Sequence, residues 1–314
     1  MSGLRKFKLG VGAIAWTNPG IKSFADNYTG EEILSQMSEI GFEGTEMNRK
    51  FPSDLPMLKA LLKRYRLEIS SQFKFVLFSD RAHAERETET FRKHADFLRG
   101  LNCKHVIVCE AGGSPLWDPR RPDSGVAIPL DDAAWRALTD HLHAAGAYCR
   151  KLGMRLVYHH HAATAIETPA EIDELMRRTD PDLVGLLLDT GHARYGGYEP
   201  IDLLRKHRGR IGYVHLKDVR KEVLARVKSE GLDFRQAVMQ GVFTVPGDGC
   251  IDFAPIIGHL IETGFDSWAL IEAEQDPAFA DPYRYQKMGK EHIEFLIGRL
   301  SATDGQKSEI RQKA

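Results

Sequence analysis

The sequence predicts one closed (β/α)8 barrel, eight parallel strands each followed by a helix, and three observations carry that reading. Short β-branched or apolar runs alternate with longer amphipathic stretches along nearly the whole chain. Gly41, Gly100, Gly153 and Gly264 end helical patterns just ahead of the next apolar run. No Gly/Ser/Pro-rich linker interrupts the middle of the 314 residues, so a division into two domains has nowhere to fall.

From the N-terminus, strands are expected at residues 9–15, 42–47, 68–73, 105–109, 155–160, 184–189, 211–215 and 268–272. Helical periodicity fills 31–40, 85–98, 133–152, 170–179 and 253–263, with Thr168-Pro169 and Asp252 as start signals. Two connections are too long for simple strand-to-helix loops. Residues 111–131, after the fourth strand, are rich in Gly, Pro, Asp and Arg, and residues 216–252, after the seventh, hold a helical stretch near 223–238. Both belong over the mouth of the barrel, as lids or as contacts between copies of the chain in a homo-oligomer, and the sequence leaves the two open. The barrel is placed at residues 1–300, and the polar, aperiodic stretch 301–314 is expected to be a loose tail.

Composition narrows the class of function. Apolar residues make up 42% and charged residues 28%, enough for a sizeable core. Lys plus Arg (43) nearly balance Asp plus Glu (44), so there is no basic field for a polyanion and a nucleic-acid binder is not expected. No apolar run has the length of a membrane span, and the first ten residues lack the apolar stretch of a signal peptide. A cytoplasmic protein follows, its four cysteines, Cys103, Cys109, Cys149 and Cys250, reduced and mostly packing.

In such a barrel the C-terminal ends of the strands converge on one pocket. Here those ends carry Glu46, Glu110, the run His159-His160-His161, Asp189, His215 and Glu272. One polar strand end is ordinarily a hydrogen-bonded core residue, but several on different strands call for a partner that satisfies them together. A divalent cation does so, and mixed N/O donors suit Mn2+ or Co2+, with Zn2+ also compatible. Strand alternation points His159 and His161 to one face and leaves His160 between strand and helix. By the same rule Glu274 shares the face of Glu272. Residues 245–249, Val-Pro-Gly-Asp-Gly, read either as a turn or as a backbone that approaches a polyhydroxylated ligand closely.

These residues carry a resemblance. LLLDTGH (186–192), VHLKDVR (214–220), GVFTVPGDG (241–249) and IEAEQDP (271–277) resemble the sugar phosphate isomerase/epimerase superfamily of xylose-isomerase-like barrels. Within it, YHHH (158–161), GVFTVPGDG and EAEQDP together resemble the myo-inosose-2 dehydratases of inositol catabolism, with AWTN (15–18), GTE (44–46) and Lys50 in support. The superfamily implies a metal held by Glu, Asp, His and Glu from the fifth to eighth strands. Asp189, His215 and Glu272 match directly, whereas the fifth-strand glutamate is replaced by His159, or one pleat further out by His161.

The resemblance implies dehydration of a cyclic polyol ketone, 2-keto-myo-inositol (scyllo-inosose), to a trihydroxycyclohexane-1,2-dione, with glutathione as a further cofactor the family allows. The reaction needs a base for the α-proton and an acid for the departing β-hydroxyl. The candidates are Glu46, His161, His192, Lys217 and the metal ligand Glu272, unranked by sequence. Asn18, Lys50, Glu110, Arg220 and Glu274 are candidate substrate binders. A ketose 3-epimerase or isomerase would begin with the same proton abstraction, but histidine in place of the fifth-strand glutamate favours elimination. A non-catalytic sugar-binding barrel would require a degraded metal shell, and the shell is intact.

Overall fold

The computed structural model describes residues 5–312 apart from Pro19, Lys22 and 122–125, and omits the side chains of Ala84 and 301–312. The strands are β1 (Lys8–Val11), β2 (Gly44–Thr45), β3 (Glu68–Ile69), β4 (Phe73–Val76), β5 (His105–Glu110), β6 (Arg155–His159), β7 (Val184–Asp189), β8 (Ile211–Leu216), β9 (Asp218–Val219), β10 (Phe243–Thr244) and β11 (Trp268–Ile271). Nine of them form one parallel sheet in the order β3-β2-β1-β11-β8-β7-β6-β5-β4. Its two edges, β3 and β4, are consecutive pieces of a single chain segment. Between them Ser70 N–H donates to the Thr45 carbonyl on one side, and the Ser71 hydroxyl donates to the His105 carbonyl on the other. The ring thus has eight strand positions, the third split by a bend at residues 70–72.

The helices are α1 (Gly30–Ile40), α2 (Leu55–Tyr65), α3 (Ala84–Gly100), α4 (Asp132–Lys151), α5 (Pro169–Arg178), α6 (Thr190–Tyr195), α7 (Pro200–Lys206), α8 (Lys221–Glu230), α9 (Phe234–Met239), α10 (Ala254–Glu262) and α11 (Pro282–Gln312), of which α2, α6, α7 and α11 were not predicted from sequence. Their starts obey local chemistry. Thr29 closes a capping box on α1, the Asp54 carboxylate caps α2 ahead of Pro56, and Asp131 caps α4. Three expectations change. Residues 13–15 form a 3-10 turn, so the first strand ends at Val11. The single helical stretch near 223–238 is two helices, α8 and α9, broken at Gly231, whose φ is +64°. The stretch 301–314 continues α11 as far as Gln312 instead of forming aperiodic coil.

Alternation along the strands builds the interior in layers. Ile107, Val157, Leu187, Tyr213 and Leu270 meet inside the ring, with Phe73 packed against them. The out-of-phase residues Val108, Tyr158, Leu188, Val214 and Ile271 belong instead to the larger core under the helices. Two residues further along β6, β7, β8 and β11 the inward positions are His159, Asp189, His215 and Glu272. The site is therefore the polar layer directly above an apolar plug.

Candidate active site

His159, Asp189, His215 and Glu272 bring one potential ligand atom each to within 4.8 Å of all the others. His159 Nε2 lies 3.6 Å from Asp189 Oδ2, and His215 Nδ1 lies 3.4 Å from the same oxygen and 2.7 Å from Glu272 Oε2. Two ring orientations are fixed from outside the cluster. His159 Nδ1–H donates to the His160 carbonyl, which leaves Nε2 with the lone pair. His215 Nε2–H donates to Glu46 Oε1 at 2.8 Å, which leaves Nδ1 facing Asp189 and Glu272.

These residues fit a divalent cation. Asp189 Oδ2, His215 Nδ1 and Glu272 Oε2 are buried without a hydrogen-bond partner, although they crowd one another. Buried acceptors are rarely left so, and here they converge on a common point with the charge and N/O chemistry that a transition-metal ion satisfies. His161, His192 and Glu274 form a second buried group of three just beside the first.

Charges in the cluster oppose one another. Burial disfavours a charged His215, but Glu272 and Glu46 on either side of the ring overrule it and hold the imidazole well above its ordinary value. Burial also works against ionised Asp189 and Glu272, and Lys217 keeps both below the usual carboxylate range. Burial pushes Glu274 up to about 7 against the pull of Lys217. His159, His161 and His192 are driven down by burial, His161 to about 4, so their rings are neutral near pH 7.

A cavity of about 270 Å³ opens onto this layer. Its polar wall includes Asn18, Glu46, Asn48, Arg49, Gln72, His159, His161, His215, Glu272 and Glu274, and its apolar wall includes Phe73, Phe75, Trp117 and Phe234. The Phe75 and Trp117 rings stack with centroids 4.8 Å apart, and Trp117 and Phe234 pack edge-on against one another. Trp117 comes from the long connection after β5 and Phe234 from α9, so both long connections supply wall to the cavity.

A family model described as Xylose isomerase-like TIM barrel matches residues 34–297. An inosose dehydratase of Geobacillus kaustophilus is 53% identical over 94% of this chain and 96% of its own length. Another, from Clostridium beijerinckii, is 41% identical over 95% of this chain and 100% of its own. The chain belongs to the inosose dehydratase family. It is thus an enzyme of the hydro-lyase class. Among solved structures, a 3-keto-D-glucoside 4-epimerase from E. coli superposes with a TM-score of 0.67 at 17% identity, over 92% of this chain and 100% of that one. A D-allulose 3-epimerase from Methylomonas sp. gives 0.65 at 15% identity, over 93% and 98%. At such identities the likeness is one of fold.

On this inosose dehydratase barrel the sequence-predicted residues divide into three groups. Glu46, His159, His161, His215, Glu272, Asn18 and Glu274 line the cavity, and His160 does not. Instead His160 Nε2 accepts the Asp189 N–H at 3.3 Å from the outer side of its strand. Asp189, His192 and Lys217 stand behind that wall, each at most 1% exposed. Glu110, Lys50 and Arg220 are engaged elsewhere. Glu110 is out of phase with inward Ile107, and its carboxylate accepts N–H bonds from Phe78, Ser79 and Gly112 and the Ser79 hydroxyl. Lys50 pairs with Asp26, and Arg220 binds the Gly241 carbonyl, Thr244 and Asp248. The glycines of 245–249 also serve the protein. Asp218 gathers the N–H groups of Val219, Gly247, Gly249 and Ile251, and a Cβ on Gly249 would fall 2.3 Å from its carboxylate. Sequence reading missed Arg49, Gln72 and the aromatic wall. Arg49 had a signal in its place just past the second strand, whereas the aromatics come from separate segments that only the fold unites.

Proposed function

We propose that this enzyme dehydrates 2-keto-myo-inositol (scyllo-inosose) to a trihydroxycyclohexane-1,2-dione, and that His159, Asp189, His215 and Glu272 hold a divalent cation, manganese or cobalt ahead of zinc. One observation carries the reading: Asp189 Oδ2, His215 Nδ1 and Glu272 Oε2, buried and without a hydrogen bond, converge with His159 Nε2 beside a cavity with acidic groups on both flanks. The names of the relatives support the substrate. A cation bound there would stabilise the negative charge that develops on the ketone oxygen as the α-proton leaves.

The chain's own groups do the rest. Glu46, on the β2 side, takes the α-proton, and its hydrogen bond to His215 fixes its position. The C–H electron pair becomes the enolate, whose collapse breaks the β C–O bond. Glu274 and His161, on the opposite flank, face the departing hydroxyl, and Glu274 gives it the proton with which it leaves as water. The aromatic wall covers the apolar ring face of the substrate and excludes water. Four unpaired thiols fit a reducing, cytoplasmic setting.

The test is incubation of manganese-loaded protein with scyllo-inosose while the absorbance of the conjugated enol form of the dione is followed. Growth of that band supports the reading. Solvent deuterium in recovered substrate with no band would overturn it in favour of epimerase chemistry.

A further inference from the structure

The second group of metal-type ligands, His161, His192 and Glu274, is as tightly gathered as the first and entirely buried. By donor chemistry such a set could hold a second ion. Here something already stands in it. Lys217 Nζ lies 3.0 Å from His192 Nε2 and 3.1 Å from Glu274 Oε2. The same atom is 3.3 Å from Asp189 Oδ2 and 3.4 Å from Glu272 Oε2, so it touches carboxylates of both groups.

The surroundings of Lys217 are built to hold it there. Its backbone is pinned at both ends by Thr190 Oγ1, which accepts the Lys217 N–H at 2.9 Å and donates to the Lys217 carbonyl at 2.6 Å. Its stem passes directly over Gly191, where a Cβ would fall 2.5 Å from Lys217 Cγ, so only glycine leaves room. Its head rests 4.9 Å from the centre of the Phe243 ring. A side chain this confined and 1% exposed is a fixed charge, unlike the mobile ammonium of a surface lysine.

We propose that Lys217 is a resident second cation: its ammonium fills a site that His161, His192 and Glu274 would otherwise offer to a second divalent ion, and so limits the enzyme to one metal. Without a cation at that point the carboxylates of Asp189 and Glu272, and the one that Glu274 becomes on giving up its proton, would share a dry pocket with too little positive charge. A covalently tethered ammonium supplies that charge while leaving only the first site exchangeable. The inference rests on the metal reading given above for His159, Asp189, His215 and Glu272.

The experiment is equilibrium dialysis of the full chain against Mn2+, followed by elemental analysis, for the wild type, Lys217→Ala and the double variant Lys217→Ala/Glu274→Gln, with folding checked by circular dichroism. The expected contents are one, two and one equivalents. One equivalent in both the wild type and Lys217→Ala would overturn this inference alone, as would two in the wild type. None in the wild type would overturn the first-site reading and this inference with it. Should Lys217→Ala not fold, Lys217→Gln, which keeps the stem over Gly191 without the charge, is read in the same way: a second equivalent supports the assignment, and one equivalent refutes it.

Discussion

Glu110 stands at a strand end yet outside the cavity, and replacing it with glutamine separates an anchoring role from a substrate-binding one. Its Oε2 accepts the N–H groups of Phe78 at 2.8 Å and Ser79 at 3.1 Å, and its Oε1 accepts the N–H of Gly112 at 2.7 Å and the Ser79 hydroxyl at 3.0 Å. In Glu110→Gln the amide nitrogen must replace one oxygen. At the Oε2 end it would face two backbone donors, so it takes the Oε1 end, where the Ser79 hydroxyl can turn and accept. The Gly112 N–H is then left facing another N–H. An orphaned buried donor costs about 1–3 kcal/mol, and the remaining bonds lose their charge assistance, for about 3 kcal/mol in all. In a chain this long that corresponds to a fall in Tm of about 4–5 °C. Calorimetry at pH 8, where the wild-type carboxylate is ionised although burial lifts it to about 7, measures the shift. Turnover of scyllo-inosose at 25 °C should keep its KM. An unchanged Tm with a sharply raised KM would refute the anchoring argument and return Glu110 to the substrate.

Three other expectations follow from the same geometry. Asp189→Asn removes a charge with little change of shape, so manganese content by elemental analysis should drop from one equivalent to near none; parental content would remove Asp189 from the ligand set. Because Glu272 and Glu46 hold a proton on His215 at neutral pH, and ligation needs its Nδ1 lone pair, the ion must displace that proton. Affinity should rise about tenfold for each unit by which pH is raised toward neutrality, with about one proton released per ion in calorimetry across buffers of different ionisation enthalpy; no release would contradict the protonation state. Asp218→Asn leaves two backbone donors facing an amide nitrogen whichever way the group turns, a loss of about 4 kcal/mol. Limited proteolysis should then cut within 241–252 first, and cleavage no faster than in the parent would argue that other contacts hold the loop.

Much of this molecule was legible in its sequence because period-2 patterning reports which side of a strand faces inward. His159 and His161 against His160 follow from that rule, as do Asp189 and Glu272 above inward Leu187 and Leu270. The rule applied one strand earlier would have turned Glu110 away, since Ile107 is inward and Glu110 is out of phase with it. Its acidity at a strand end outweighed its parity, and only the loop amides that gather around it show why a carboxylate is needed there. The split third strand was illegible for a different reason: Ser70 and Ser71 bridge neighbours far apart in sequence. Lys217 was recognised as chemically significant, but a proton carrier at the wall and a fixed charge behind it look alike until the Gly191 passage and the surrounding carboxylates are placed in space.

Dehydration through a cation-dependent enolate is open to a single mass-spectrometric measurement. Protein loaded with Mn2+, and the same protein after chelation, are incubated with scyllo-inosose in D2O, and substrate and product are recovered together. The loaded enzyme should remove one water from the substrate, and the chelated protein should show neither water loss nor deuterium uptake, both returning when Mn2+ is restored. Undiminished dehydration by the chelated protein would contradict the cation dependence.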